Sequence, residues 1–238
     1  MSRTPAIVLG ASGSVGQALL AELLRCPAFS EVIVVARRPM GVAAGARPRV
    51  VEHLVPDMQP LQLERAVIDA LAGCGPGAVG FSVLGVGAGT ARLSLAEHRA
   101  VDVELNAAFA RGLARSGQAR HLVFMSAIGA DPQASPSGSG AAGMPRYARV
   151  KGEAEQAVLS QGVAAVSILR PSVIIGSRHT PGLLAHAMSL LSPLLPARYR
   201  PIRAADIARA MVALARHTPA SSGTYAYAEM RALAAGAS

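Results

Sequence analysis

The stretch IVLGASGSVGQALL, residues 7–20, places Gly10, Gly13 and Gly16 between two apolar runs of different period. AIVLG (6–10) is continuous and short, which suits a buried strand. VGQALLAELLR (15–25) repeats its apolar residues at helical spacing. A strand, a G-x-x-G-x-x-G turn and a helix in that order form a turn suited to dinucleotide phosphates. The first glycine lets the chain turn sharply, the second leaves room for a pyrophosphate, and the third lets the helix approach the strand. Free N–H groups and the positive end of the helix dipole then face the anion. Ser12 and Ser14 add hydroxyl donors. Gly10, Ser12, Gly13, Ser14, Val15 and Gly16 are therefore the expected phosphate-binding residues. The plainer alternative is an ordinary glycine-rich turn.

Outward from this turn, strand-like and helix-like segments alternate. EVIVVARR (31–38), RVVEHLV (49–55), AVGFSVLG (78–85), HLVFMSAIG (121–129) and AAVSILRP (164–171) read as strands. Helices are expected at 61–73, 92–116, 146–161 and 204–216. Residues 131–145, DPQASPSGSGAAGMP, collect turn formers and read as a disordered loop. Alternating β and α segments imply parallel strands with right-handed crossovers. The expected fold class is α/β: a three-layer, doubly wound parallel sheet of the dinucleotide-binding Rossmann type. One domain over 1–238 is expected, with residues 177–203 as an apolar substrate lid.

The second strand ends in Ala36, Arg37 and Arg38. An NAD-selective site usually has an acid near this point, for the ribose 2′-hydroxyl. Two guanidiniums here suit a 2′-phosphate instead. The expectation is NADP, with NADPH preferred over NADH; the alternative is a solvated arginine pair. Asp57, after the third strand, either accepts from an adenine amino group or is a turn residue.

Composition narrows the class. Hydrophobic residues make up 51% of the 238, aromatics only 3%, and tryptophan is absent. A core of Ala, Val, Leu and Ile suits helices packed on a buried parallel sheet. The net charge of +9 would fit nucleic acid, but no aromatics interleave the scattered arginines for base stacking, which argues against that partner. Cys26 and Cys74 form neither a disulfide framework nor a CxxC motif. No signal peptide or 18-residue uncharged apolar run is found, so no membrane partner is expected and the setting is read as cytoplasmic. The six histidines show no metal-like spacing, so no metal is expected. His179 and His186 lie by the lid, as do Arg178, Arg198, Arg200 and Arg203, which could greet an acidic substrate.

Of the 23 lysines and arginines, one is a lysine: Lys151, in YARVK (147–151). Tyr147 and Lys151 are i and i+4 on a helix and share a face. A phenol titrates near pH 10, too high for a base at neutral pH. A nearby ammonium favours the phenolate and lowers that value. Arginine, planar and bulkier, is no equivalent substitute. The plainer alternative is a surface Tyr and Lys.

With GASGSVG, VVARRP, VDVELNAAFARGLARSG, HLVFMSAIGAD, YARVKGEAE and ILRPSVIIG in order over residues 6 to about 176, the chain resembles an atypical short-chain dehydrogenase/reductase. It is similar to the Tat-interacting-protein-like branch, with extended-type, NAD-dependent epimerase-like relatives. The resemblance implies that Tyr147 is the general acid/base, that Lys151 binds the nicotinamide ribose, and that a serine after the fifth strand holds the substrate oxygen. That serine is Ser126, or its counterpart is Ala127, since many relatives carry two serines where this chain has Ser126 and Ala127. Leu84 and Gly85 are implied cofactor contacts, as are Pro171 and Val173 near the nicotinamide. The implied activity is hydride transfer to or from a small carbonyl or alcohol substrate. Two alternatives stand beside it: a catalytically weak NADP(H) sensor or assembly protein, and an epimerase-like enzyme. The apolar helix at 92–116 is the candidate contact for a homodimer.

Overall fold

The computed structural model describes residues 4–41, 49–175 and 196–236. Seven strands form one parallel sheet: β1 (Thr4–Leu9), β2 (Phe29–Ala36), β3 (Arg49–Leu54), β4 (Ala78–Ser82), β5 (Ala119–Met125), β6 (Val166–Leu169) and, beyond a two-strand pair, β9 (Gly223–Tyr225). The pair, β7 (Ile174–Ile175) with β8 (Ile202–Arg203), stands apart. In the main sheet the order is β3-β2-β1-β4-β5-β6-β9. The chain winds outward one way from β1 and the other way from β4. Their carboxyl ends therefore border the crevice where open α/β sheets hold ligands.

The helices are α1 (Ser14–Arg25), α2 (Pro60–Leu71), α3 (Leu95–Arg99), α4 (Asn106–Ser116), α5 (Pro145–Leu159), α6 (Ala204–Arg216) and α7 (Tyr227–Ala235). Period-two alternation along β1 divides the core. Ala6 and Val8 join Leu19 and Leu23 of α1 and Ile207 and Met211 of α6 on one face. Ile7 and Leu9 join Leu63 and Val67 of α2, Phe109 and Leu113 of α4, and Val150 and Ala154 of α5 on the other. Both faces are covered, which is why the strands read as unbroken apolar runs. The expected three-layer, doubly wound α/β fold is the one observed.

Two expectations are corrected. The helix expected over 92–116 starts at Leu95, after a 3₁₀ stretch at Gly87–Arg92, and widens to π-helical geometry over Ala100–Leu105. Residues 131–145 are ordered: Asp131 N donates to Ala148 O, and Arg149 Nη1 donates to Ala134 O. The loop lies so close to α5 that a Cβ on Gly152 would stand 2.6 Å from Pro132 Cδ. Beyond the expected elements, the chain adds β9 and α7. Of the expected lid, residues 177–195 lie outside the described residues, with Arg178, His179 and His186 among them. The apolar residues of the helix suggested for a homodimer, Val103, Leu105, Phe109 and Leu113, are buried within this chain.

Candidate active site

The glycine turn is built as its spacing predicts. Gly10 has φ +88°, in the region that favours glycine, and a Cβ there would stand 2.7 Å from Leu84 N. A Cβ on Gly16 would press on the Gly10 carbonyl and stand 2.7 Å from Ala11 Cα. Gly13 differs: its nearest neighbour would be Gly10 O at 3.5 Å. The first and third glycines thus let backbone meet backbone, while the second leaves open space. Gly13 is the N-cap of α1, and no side chain caps that end. The first intrahelical bond runs from Gln17 N to Gly13 O. The N–H groups of Ser14, Val15 and Gly16 are the ones a helix start leaves without an intrahelical partner. Ser12 and Gly13 are exposed and Ser14 half-buried. A space left by a missing Cβ, flanked by backbone donors and a helix N-terminus, fits a pyrophosphate.

Arg37 and Arg38 are exposed just past β2, and Asp57 is exposed in the turn past β3. The next residue, Met58, has φ +41°, a left-handed value uncommon for a side chain of its size. These residues border the same end of the sheet as the glycine turn.

Past β4, Leu84 is half-buried and Gly85 exposed. Their turn is pinned from the helix above. Ser82 Oγ donates to Asn106 Oδ1, and Asn106 Nδ2 donates to Leu84 O at 3.5 Å and to Asp102 O at 2.8 Å. Val86 N donates to Asp102 Oδ2 at 3.2 Å. Lys151 Nζ donates to Asp102 Oδ1 at 2.6 Å from the opposite helix, α5. Burial works against the Lys151 charge, but Asp102, Tyr147 and Glu155 outweigh it and raise its pKa above the usual lysine value.

Tyr147 is half-buried, one turn before Lys151 on the same helix, with Lys151 Nζ 5.7 Å from its ring centre. His98, fully buried on α3, lies with its ring centre 5.9 Å from that of Tyr147. Neither His98 ring nitrogen has a hydrogen-bond partner among the described residues. Burial lowers the His98 pKa, against the pull of Asp102, so the ring is neutral at neutral pH.

Ser126 follows β5. It is buried, its N–H donates to Leu169 O at 2.8 Å, and its hydroxyl has no partner among the described residues. Ala127, beside it, is also buried. Past β6, Arg170 forms a two-point ion pair with Glu155 of α5, at 2.8 and 2.5 Å. That pair ties the buried Pro171 to the helix carrying Tyr147 and Lys151. Val173 is exposed at 46%, and its carbonyl accepts from Ile202 N. Ser172 Oγ donates to Arg200 O. Residues 172–173 are thereby tied to residues 200–202.

The structure therefore brings the glycine turn, Leu84, Gly85, Tyr147, Lys151 and Pro171 to one end of the sheet. A family described as "NAD(P)H-binding" matches residues 10–218, from the first glycine of the turn to beyond α6. The chain belongs to the NAD(P)H-binding family. It is 30% identical over 178 residues to Protein FMP52, mitochondrial, of Eremothecium gossypii, covering 74% of this chain and 68% of the relative. It is also 30% identical over 180 residues to Protein HTATIP2 of Rattus norvegicus, covering 75% and 66%. A short-chain dehydrogenase/reductase from Serratia marcescens has the same fold, with TM-score 0.68, 19% identity and 95% and 98% of the two chains covered. This NAD(P)H-binding protein has the Rossmann fold of that short-chain dehydrogenase/reductase, and its cofactor is a nicotinamide dinucleotide. The expected cytoplasmic setting is corrected: relatives it matches are named as mitochondrial proteins. Neither a signal peptide nor an apolar span bears on a mitochondrial address.

Among the described residues, no group of His, Cys, Asp and Glu could hold a metal ion, and no helix is long and apolar enough to cross a membrane. Asp102, Asn106 and His98 were missed as site residues. The available signal was Asp102 and Asn106 in VDVELNAAF, two polar residues four apart and so on one helix face.

Proposed function

We propose that this protein is an NADP-dependent oxidoreductase acting on a small carbonyl or alcohol substrate. The observation that carries the reading is the placement of Tyr147 and Lys151 one turn apart on α5, with Lys151 against the turn after β4 where the winding of the sheet reverses. When bound, the nicotinamide supplies or accepts the hydride. The chain's own residues do the rest. Gly10, Ser12, Gly13, Ser14, Val15 and Gly16 hold the pyrophosphate at the α1 N-terminus. Arg37 and Arg38 bind the 2′-phosphate, and Asp57 faces the adenine. Leu84, Gly85, Pro171 and Val173 flank the nicotinamide. Lys151 holds the ribose, Tyr147 exchanges the proton with the substrate oxygen, and Ser126 orients that oxygen.

Calorimetric titration with NADPH and, separately, NADH tests the cofactor half. NADPH binding at least about tenfold tighter, ~1.4 kcal/mol, is the expected result. Equal affinities would remove the role given to Arg37 and Arg38. The catalytic half is tested by Tyr147→Phe against a panel of carbonyl substrates. Full turnover by that variant would end the mechanism, and intact NADPH binding with no turnover by the unmodified chain would favour the sensor reading.

A further inference from the structure

Asp102 is 1% exposed and Lys151 6%. Each oxygen of the carboxylate has its own partner: Oδ1 takes Lys151 Nζ at 2.6 Å and Oδ2 takes Val86 N at 3.2 Å. Burying two charges is costly, and apolar replacements of such pairs are often no less stable. Stability alone therefore does not account for this pair. Its surroundings do: it sits beside Tyr147 and against the turn that follows β4. A Cβ on Gly85 would stand 3.3 Å from both Asp102 Oδ1 and Lys151 Nζ, so a side chain there would crowd the pair against the turn.

We propose that Asp102 is a positioning residue: it locks Lys151 to the Leu84–Val86 turn and offsets the ammonium's charge, so that Tyr147 serves as proton donor in carbonyl reduction. The proposal rests on the acid/base role given to Tyr147 above. An unbalanced ammonium beside a phenol favours the phenolate, the form that accepts a proton in alcohol oxidation. A balanced one favours the phenol, the form that donates. In the reduction, hydride from the reduced nicotinamide forms a C–H bond at the carbonyl carbon. The C=O π electrons move to oxygen, the Tyr147 O–H bond breaks, and its proton passes to that oxygen. The carbonyl becomes an alcohol, the nicotinamide is oxidised, and solvent water returns a proton to Tyr147.

Among the described residues, these are the charged and titratable groups that act on Tyr147 or on its neighbours Lys151 and His98. Lys151, Arg146 and Glu155 come from α5, His98 from α3, and Asp102 from the π-helical turn. His98 Nε2 lies 3.8 Å from Asp102 Oδ1, but burial keeps the ring neutral. It does not compete with Lys151 for the carboxylate charge.

The test is an ultraviolet titration of phenolate formation. Of the 4 tyrosines, Tyr147 is isolated by subtracting the curve of the same protein carrying Tyr147→Phe. In Asp102→Asn, the Tyr147 step is expected at lower pH by about one unit or more, a tenfold or greater rise in its ionisation constant. Asp102→Glu, which keeps the charge, is expected to restore the original step. In a Lys151→Met background, Asp102→Asn is expected to lose its effect. An unchanged or raised midpoint in folded Asp102→Asn overturns the proposal, as does the same downward shift with Lys151 absent. Circular dichroism reports folding; if Asp102→Asn does not fold, Asp102→Ser is judged by the same criterion. The titration needs neither cofactor nor substrate, so failure to bind NADPH would count against the function proposed above and leave this result standing.

Discussion

The carbonyl oxygen of Gly10 occupies the place where Gly16 would carry a Cβ. The two ends of the turn are thereby held together, while Gly13, between them, faces open space. Gly16→Ala should force the start of α1 off the strand end. The cost expected is about 1–3 kcal/mol, read as a lower denaturation midpoint, together with lost NADPH binding. Gly13→Ala should leave the midpoint within about 0.5 kcal/mol and weaken NADPH alone. Equal stability losses in the two variants would contradict this division of roles.

Arg37 and Arg38 project from the end of β2 with no acid beside them in the sequence. Arg37→Ala combined with Arg38→Ala should reduce NADPH affinity by about tenfold or more, since charge-assisted bonds to phosphate contribute roughly 1.5–3 kcal/mol. NADH affinity should change by less than about twofold. Calorimetry with both cofactors gives the ratio, and an unchanged ratio rules out the 2′-phosphate role.

Glu155 holds Arg170 by two bonds and so ties the end of β6 to α5. Glu155→Gln keeps the shape and removes the charge. Because Arg170 is about one-third exposed, the expected loss is modest, ~1–2 kcal/mol, in a denaturant melt. Turnover should fall further than stability alone implies, because Pro171 follows directly.

His121 lies fully buried on β5, its Nε2 2.9 Å from Ser167 Oγ on β6. Burial, aided by Arg120, pushes its pKa down to about 4. The unfolded chain binds a proton there near pH 6.5, so between those values it binds more protons than the fold does. Stability must then rise with pH across about 4 to 6.5 and fall as the solution is acidified through that window. His121→Gln should flatten this part of the stability–pH curve, measured by urea melts at half-unit steps. An equally steep curve in that variant would assign the slope to other groups.

Much of this was legible in the sequence because it rests on local rules. Gly10, Gly13 and Gly16 announce a turn whose geometry depends on the missing Cβ atoms themselves. Tyr147 and Lys151 announce a shared helix face by their spacing alone. What stayed hidden depends on partners far apart in the chain. The Asp102 carboxylate meets Lys151 across 49 positions, and nothing near either residue signals the other. The order in residues 131–145 has the same origin. Their composition reads as loop, yet Gly152, a turn and more into the helix that follows, provides the groove that holds them. The π-helical widening at Ala100–Leu105 leaves no mark that helix periodicity could register.

The seventh strand has a consequence for synthesis. β9 pairs with β6 only through residues 223–225, and Ser222 Oγ supplies the bond to Val166 N. Until the ribosome has delivered this segment, the outer rim of β6 is a row of unanswered N–H and C=O groups, the kind of rim on which nascent chains stick to one another. The protein thus carries its own late-arriving cover strip for a sheet that is otherwise laid down from its first residues onward.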